Sequence, residues 1–133
     1  MNEQTKENLL KAMHGEAFAY AKYMLFEEHA RKKGLKGLAN LFEKTANVER
    51  LEHFREEAEL LGLVGADADN LKDAMKGESY EIETMYPEFA KQASAAGDKA
   101  AADRFAEIRG DEQGHLETYS KALEKVERKD KQK

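Results

Sequence analysis

Large apolar residues recur along the chain at steps of three and four, the spacing that gathers side chains onto one face of an α-helix. Leu9, Met13, Tyr20 and Tyr23 form one such stripe, Leu38, Phe42 and Leu60 a second, Met85 and Phe89 a third, and Phe105, Ile108, Tyr119, Ala122 and Val126 a fourth. The stripes are interrupted at Gly34 and Gly37, in the stretch 62–70, and at Gly97-Asp98. Each break suits a glycine that ends a helix or an Asp or Asn that starts one. The pattern predicts four helices, over 5–33, 36–61, 71–96 and 99–127, the third with an irregular first part near Gly77. Residues 1–127 then make one domain, and 128–133 a polar, frayed tail.

The links at Gly34 and Gly97 are short and force antiparallel neighbours, whereas 62–70 is long enough to cross from one end of a bundle to the other. The expected architecture is all-α: an antiparallel four-helix bundle of two helical hairpins joined by a long crossover. The hairpins also resemble each other. Gly34, Ala39, Phe42, Glu49 and Leu60 recur 63 positions later as Gly97, Ala102, Phe105, Glu112 and Leu123, and Gly15-Glu16 recurs 62 positions later as Gly77-Glu78. A duplicated hairpin accounts for glycine, aromatic and acid recurring in register.

Composition agrees. Two isoleucines, three valines and four threonines in 133 residues are too few for a sheet protein of this size, and only one proline appears. Acids number 27 against 22 bases, a net charge of -5, so no basic surface for nucleic acid is expected. The absence of cysteine excludes disulfide scaffolds, thiol nucleophiles and thiolate metal centres within these residues, so any metal must sit on oxygen and nitrogen. No apolar run approaches the ~20 residues that span a bilayer, and the first residues lack the apolar stretch of a signal peptide. No membrane partner is expected, and the cytoplasm is the expected compartment.

The chemistry lies in the exceptions to the stripes. Glu16 interrupts the first, Glu49 and either Glu52 or His53 the second, Glu78 and Glu81 stand on the third, and Glu112 and His115 on the fourth. Burying several ionised carboxylates together is costly unless cations neutralise them or some take protons. Two metal ions bridged by glutamates meet that requirement, and Glu112 and His115, one turn apart, can reach a single ion. Glu27 and Glu56 continue the stripes further out and read as ion pairs at the rim, and His14 and His29 read as surface residues.

These residues, in this order, resemble the di-iron domain of rubrerythrin, within the ferritin-like superfamily. The most specific stretch is 77–90, with Glu78-x-x-Glu81 and Met85-Tyr86-Pro87-Glu88-Phe89. Gly15-Glu16 with Tyr23, Thr45-Ala46 before Glu49, and Glu112-x-x-His115 add agreement on the other helices. The resemblance implies Glu16, Glu49, Glu78, Glu81, Glu112 and His115 as ligands of two iron ions, with manganese or zinc as alternatives. It implies Tyr23 and Tyr86 as hydrogen-bond donors that orient carboxylates.

One position departs from the family. Its Glu-x-x-His would put histidine three residues after Glu49, where this chain has Glu52, followed by His53. The repeat also sets Glu52 opposite His115, so Glu52 is the favoured ligand. His53 is the contender, because a one-residue bulge in the helix would bring it inward. In the family this histidine and the counterpart of Glu81 exchange at one iron with redox state. A Glu52 ligand would make the site more anionic and put that exchange in doubt.

By resemblance the expected activity is reduction of hydrogen peroxide to water, in defence against oxidative stress, with Glu81 shuttling the proton. The family's rubredoxin-like centre needs four thiolates, so an external reductase or rubredoxin is the expected electron donor. A homodimer is expected from the resemblance. Ferroxidase activity or manganese-dependent peroxide disproportionation is the alternative within metal chemistry, and a metal-free helical interaction protein the alternative outside it.

Overall fold

The computed structural model describes residues 1–132, and among them helices are the only regular elements. In chain order they are α1 (Glu3–Lys32), α2 (Lys36–Val48), a π-helical turn (Glu49–Phe54), α3 (Arg55–Leu61), α4 (Asp67–Tyr80), a second π-helical turn (Glu81–Met85), α5 (Tyr86–Ala95) and α6 (Lys99–Lys131). Because each π turn continues directly into its neighbours, α2 with α3 and α4 with α5 form single rods. The four predicted helices are therefore all present. The last one continues through Arg128 to Lys131, beyond the point where fraying was expected; Lys133 lies outside the described residues.

The chain divides into two compact units, Met1–Val64 and the part from Gly65 onward, each a helical hairpin. In the first, α1 packs along α2, the π turn and α3; in the second, α6 packs along α4, the π turn and α5. Both hairpin turns use glycine in the left-handed region, Gly34 at φ 76° and Gly97 at φ 84°, where a Cβ is strained. Asn70 closes the start of the second unit by accepting from the Gly65 N–H at 2.8 Å and donating to the Gly65 carbonyl at 3.0 Å.

Small residues set the spacing of the first hairpin. Ala39 and Ala46 of α2 are fully buried, as Ala30 of α1 very nearly is. Three rings pack beside them: Phe26 meets Phe42 edge-on at 5.4 Å, and Tyr23 lies 6.2 Å from Phe42. The second hairpin repeats this group with Tyr86, Phe89 and Phe105, at 5.6 Å for the two phenylalanines and 6.1 Å for Tyr86 with Phe105. Tilted and edge-on pairs at these distances are favourable beyond the area they bury. The aromatic positions match 63 residues apart throughout, as expected of a duplication.

At the turn of the first hairpin, Glu27 is buried and pairs with Arg31, whose guanidinium also reaches Glu43 at 3.3 Å. Glu27 is thus the ion-paired acid expected from the sequence. His14 and His29 are exposed.

Candidate metal centre

Each hairpin gathers two glutamates and one histidine about two turns or more from its aromatic group. In the first, α1 supplies Glu16, while Glu49 and His53 come from the π turn. One ligating atom from each lies within 4.8 Å of the others. The His53 Nδ1 is 3.4 Å from Glu49 and 3.5 Å from Glu16. In the second, α4 supplies Glu78, and α6 supplies Glu112 and His115, again within 4.8 Å of one another. The His115 Nδ1 is 3.1 Å from Glu112 and 3.9 Å from Glu78.

The π turn sets which of the two candidates on the second helix reaches Glu16 and Glu49. A π turn carries one residue more than an α turn, so a side chain four positions on arrives where the third would otherwise point. His53 stands four residues after Glu49 across such a turn, whereas His115 stands three after Glu112 in uninterrupted α-helix. The structure therefore brings His53, and not the favoured Glu52, to Glu16 and Glu49. Glu52 is exposed and stays outside the cluster. The true counterpart of His115 is His53, 62 positions earlier.

The electrostatics of the clusters are those of carboxylates forced together. Glu78 is pushed up to about 7 by its hydrogen bond with Glu112, by burial, and by the nearby charges of Glu112 and Glu81. The same hydrogen bond, helped by His115, lowers Glu112. One proton is thus held on the Glu78 side of the pair. In the first hairpin Glu49 is raised by its hydrogen bond with Glu16, then by burial. Desolvation pulls His53 down, but the charges of Glu49, Glu16 and Glu52 outweigh it and leave its pKa raised. His115 is raised first by its hydrogen bond to Glu112.

The residues fit metal ions. Glu16 Oε2 and Glu78 Oε2, one oxygen in each cluster, are buried with no hydrogen-bond partner, as is Glu57 Oε1 outside them. A buried carboxylate oxygen left without a donor is expensive, and a cation satisfies it. Two carboxylates and an imidazole form a donor set suited to iron, with manganese and zinc also able to bind it. The imidazoles are half exposed.

The remaining predicted residues lie close by. Glu81 opens the second π turn outside the three-group cluster, and its carboxyl is raised by burial and by the charge of Glu112. Burial and the charges of Glu81, Glu112 and Glu78 raise Tyr86, so its phenol keeps its proton. Tyr23 packs against Phe26 and Phe42. Two interactions escaped the sequence reading. Arg50 stacks over the Tyr20 ring at 5.6 Å and donates to its hydroxyl at 3.4 Å. Arg109 of α6 donates from Nε to the Ile82 carbonyl at 2.7 Å.

Four helical rods carrying two separate Glu-Glu-His sets define a helical protein with candidate carboxylate and histidine metal sites. The rubrerythrin family model matches residues 7–123. Rubrerythrin-1 of Clostridium acetobutylicum is 34% identical over 140 residues, covering 93% of this chain and 72% of that protein. Nigerythrin of Nitratidesulfovibrio vulgaris is 32% identical over 142 residues, covering 97% and 70%. A nigerythrin structure in a partially reduced state aligns at 33% identity with a TM-score of 0.48, covering 92% of this chain and 67% of that one. The chain belongs to the rubrerythrin family, whose members bind a di-iron centre and serve as oxidoreductases in oxidative stress. No helix among the described residues is long and apolar enough to cross a membrane.

Proposed function

We propose that this protein is a non-haem di-iron peroxidase that reduces hydrogen peroxide to water with electrons from an external donor, a rubredoxin or a reductase. The observation that carries the reading is the pair of Glu-Glu-His clusters, each with a buried carboxylate oxygen that lacks a partner. Glu16, Glu49 and His53 would hold one iron, and Glu78, Glu112 and His115 the other. Two ferrous ions bound there would supply one electron each to the O–O bond. Two protons must also arrive for the products to be two waters. Glu81 is the proton carrier: its raised carboxyl keeps a transferable proton nearer neutrality than an ordinary glutamate does. Tyr86, held as a phenol by burial and by the charges of Glu81, Glu112 and Glu78, is a donor that would steady the carboxylates.

The test is to reduce the iron-loaded protein anaerobically and mix it with peroxide or with oxygen while recording the visible spectrum. Oxidation much faster with peroxide is the expected result, and equal rates overturn the proposal. With two carboxylates per imidazole, the donor set also favours a second reading, manganese-dependent disproportionation. Metal content of protein purified without added metal, together with oxygen evolution from peroxide, separates the two. The reading includes a homodimer, carried over from the resemblance to the family. Sedimentation equilibrium tests it, and a monomer at micromolar concentration refutes it.

A further inference from the structure

The second π turn contains a backbone group that no helix can satisfy. A carbonyl in an α-helix accepts from the N–H four residues on, and one in a π-helix from the N–H five residues on. For Ile82 these are residues 86 and 87. The Tyr86 N–H is engaged one position back, with the Glu81 carbonyl. Residue 87 is proline and has no N–H at all. Ile82 is itself buried, 6% exposed, so its carbonyl has little water to turn to. Its donor comes instead from the facing helix, the Arg109 Nε at 2.7 Å.

The turn matters because it sets what faces α6. In the first hairpin Glu16 and Tyr23 are seven residues apart on uninterrupted α1, two helical turns, and share a face. In the second hairpin the corresponding Glu78 and Tyr86 are eight apart. An α-helical path would rotate Tyr86 and Phe89 about 100° away from the face that carries Glu78. The extra residue of the π turn removes that rotation. Glu78 can then meet Glu112 while Tyr86 and Phe89 pack on Phe105, all against the same helix.

We infer that Arg109 is a positioning residue for the second cluster: its guanidinium takes the place of the N–H that Pro87 lacks, and so holds open the π turn that lets Glu78 face Glu112 while Tyr86 and Phe89 pack on Phe105. Nothing in this requires Arg109 to touch metal or substrate. The stability arm of its test is independent of the di-iron reading, and only the metal arm rests on it.

The test is a double-mutant cycle between R109M, which keeps the aliphatic stem, and P87A, which restores an N–H at residue 87. Melting is measured on chelated protein and Co2+ affinity by calorimetric titration. In the native Pro87 background, R109M lowers the melting temperature by several degrees and weakens Co2+ binding at one of two sites about tenfold, as losing a support behind a ligand does. In the P87A background the same substitution has less than half of each effect, because the N–H restored at residue 87 now serves Ile82. Equal losses in both backgrounds, or no loss in either, overturn the inference. Should R109M fail to fold, the double variant decides: recovery of folding supports the inference and continued failure overturns it. If the unsubstituted protein binds no Co2+, the di-iron reading falls, while the coupling in melting temperature still decides the role of Arg109.

Discussion

Replacing Glu78 by glutamine separates stability from metal binding, because the two should move in opposite directions. In metal-free protein the Glu78 carboxyl is lifted from 4.5 to about 7, chiefly by sharing a hydrogen bond with Glu112. Its side chain is 16% exposed, so little solvent screens the interaction. A folded-state value above the unfolded one means that the stability this group contributes is complete below about pH 4.5 and lost as pH rises through about 7. At ~1.4 kcal/mol per unit, ionising Glu78 in the folded chain costs about 3 kcal/mol at alkaline pH. The lowered Glu112 returns part of this, which leaves about 1–3 kcal/mol. Glutamine imitates the protonated form and can still donate to Glu112. Chelated E78Q should therefore be more stable than the unsubstituted chain by about 1–3 kcal/mol near pH 8.5, and nearly equal to it near pH 5. Urea unfolding followed by far-ultraviolet circular dichroism measures both. Metal should reverse the order, since the variant has lost a ligand and gains less on binding. A chelated E78Q that is less stable at alkaline pH, or an advantage that does not shrink toward pH 5, refutes the reasoning.

Further expectations concern the other cluster and the hairpin cores. H53A should remove about one metal per chain, read by elemental analysis, whereas E52Q should leave the content unchanged, since Glu52 stands outside the cluster. A39L should cost about 1–3 kcal/mol in chemical denaturation, because a fully buried alanine between α1 and α2 leaves no room for the larger side chain. R31M should cost about 1–3 kcal/mol at neutral pH by leaving Glu27 buried without its partner, and E27Q in the same chain should recover most of the loss. Removing iron with a chelator should lower the unfolding free energy, and with it the melting point, by an amount that grows with the free metal present beforehand, about 2.7 kcal/mol at a hundredfold excess over the dissociation constant.

The helices were legible because their signals are local: glycines in the left-handed region at 34 and 97, and stripes at helical spacing between them. Acids on all four stripes likewise pointed to the two clusters before any geometry was known. The second π turn was not read, and the first only as the bulge that would bring His53 inward, because a single inserted residue alters neither composition nor the look of an apolar stripe. On the second helix the reading favoured Glu52 over His53, because both the family spacing and the 63-residue repeat assume an uninterrupted α-helix there. The trace of the insertions was nonetheless present in the repeat. Glu16 matches Glu78 at 62 positions but Tyr23 matches Tyr86 at 63, so one residue has entered the second hairpin between them, where its π turn lies. Glu49 matches Glu112 at 63 and His53 matches His115 at 62, which locates the other. Arg109 was invisible because its role depends on a carbonyl, and only the proline five residues beyond Ile82 hints at the missing donor.

In each hairpin only one rod carries a π turn, while α1 and α6 run unbroken. Each candidate metal pocket is thereby hung like a door, with an unbroken jamb and a leaf that carries the π turn. Glu16, Glu112 and His115 belong to the jambs, and Glu78 to a leaf just ahead of its turn. Glu49, His53 and Glu81 lie in the turns themselves, where slipping by one hydrogen bond moves a side chain without unfolding its helix. If electrons entering or leaving the centre change which groups hold it, the exchange should be confined to those three residues, with the jamb residues serving as the frame they close against.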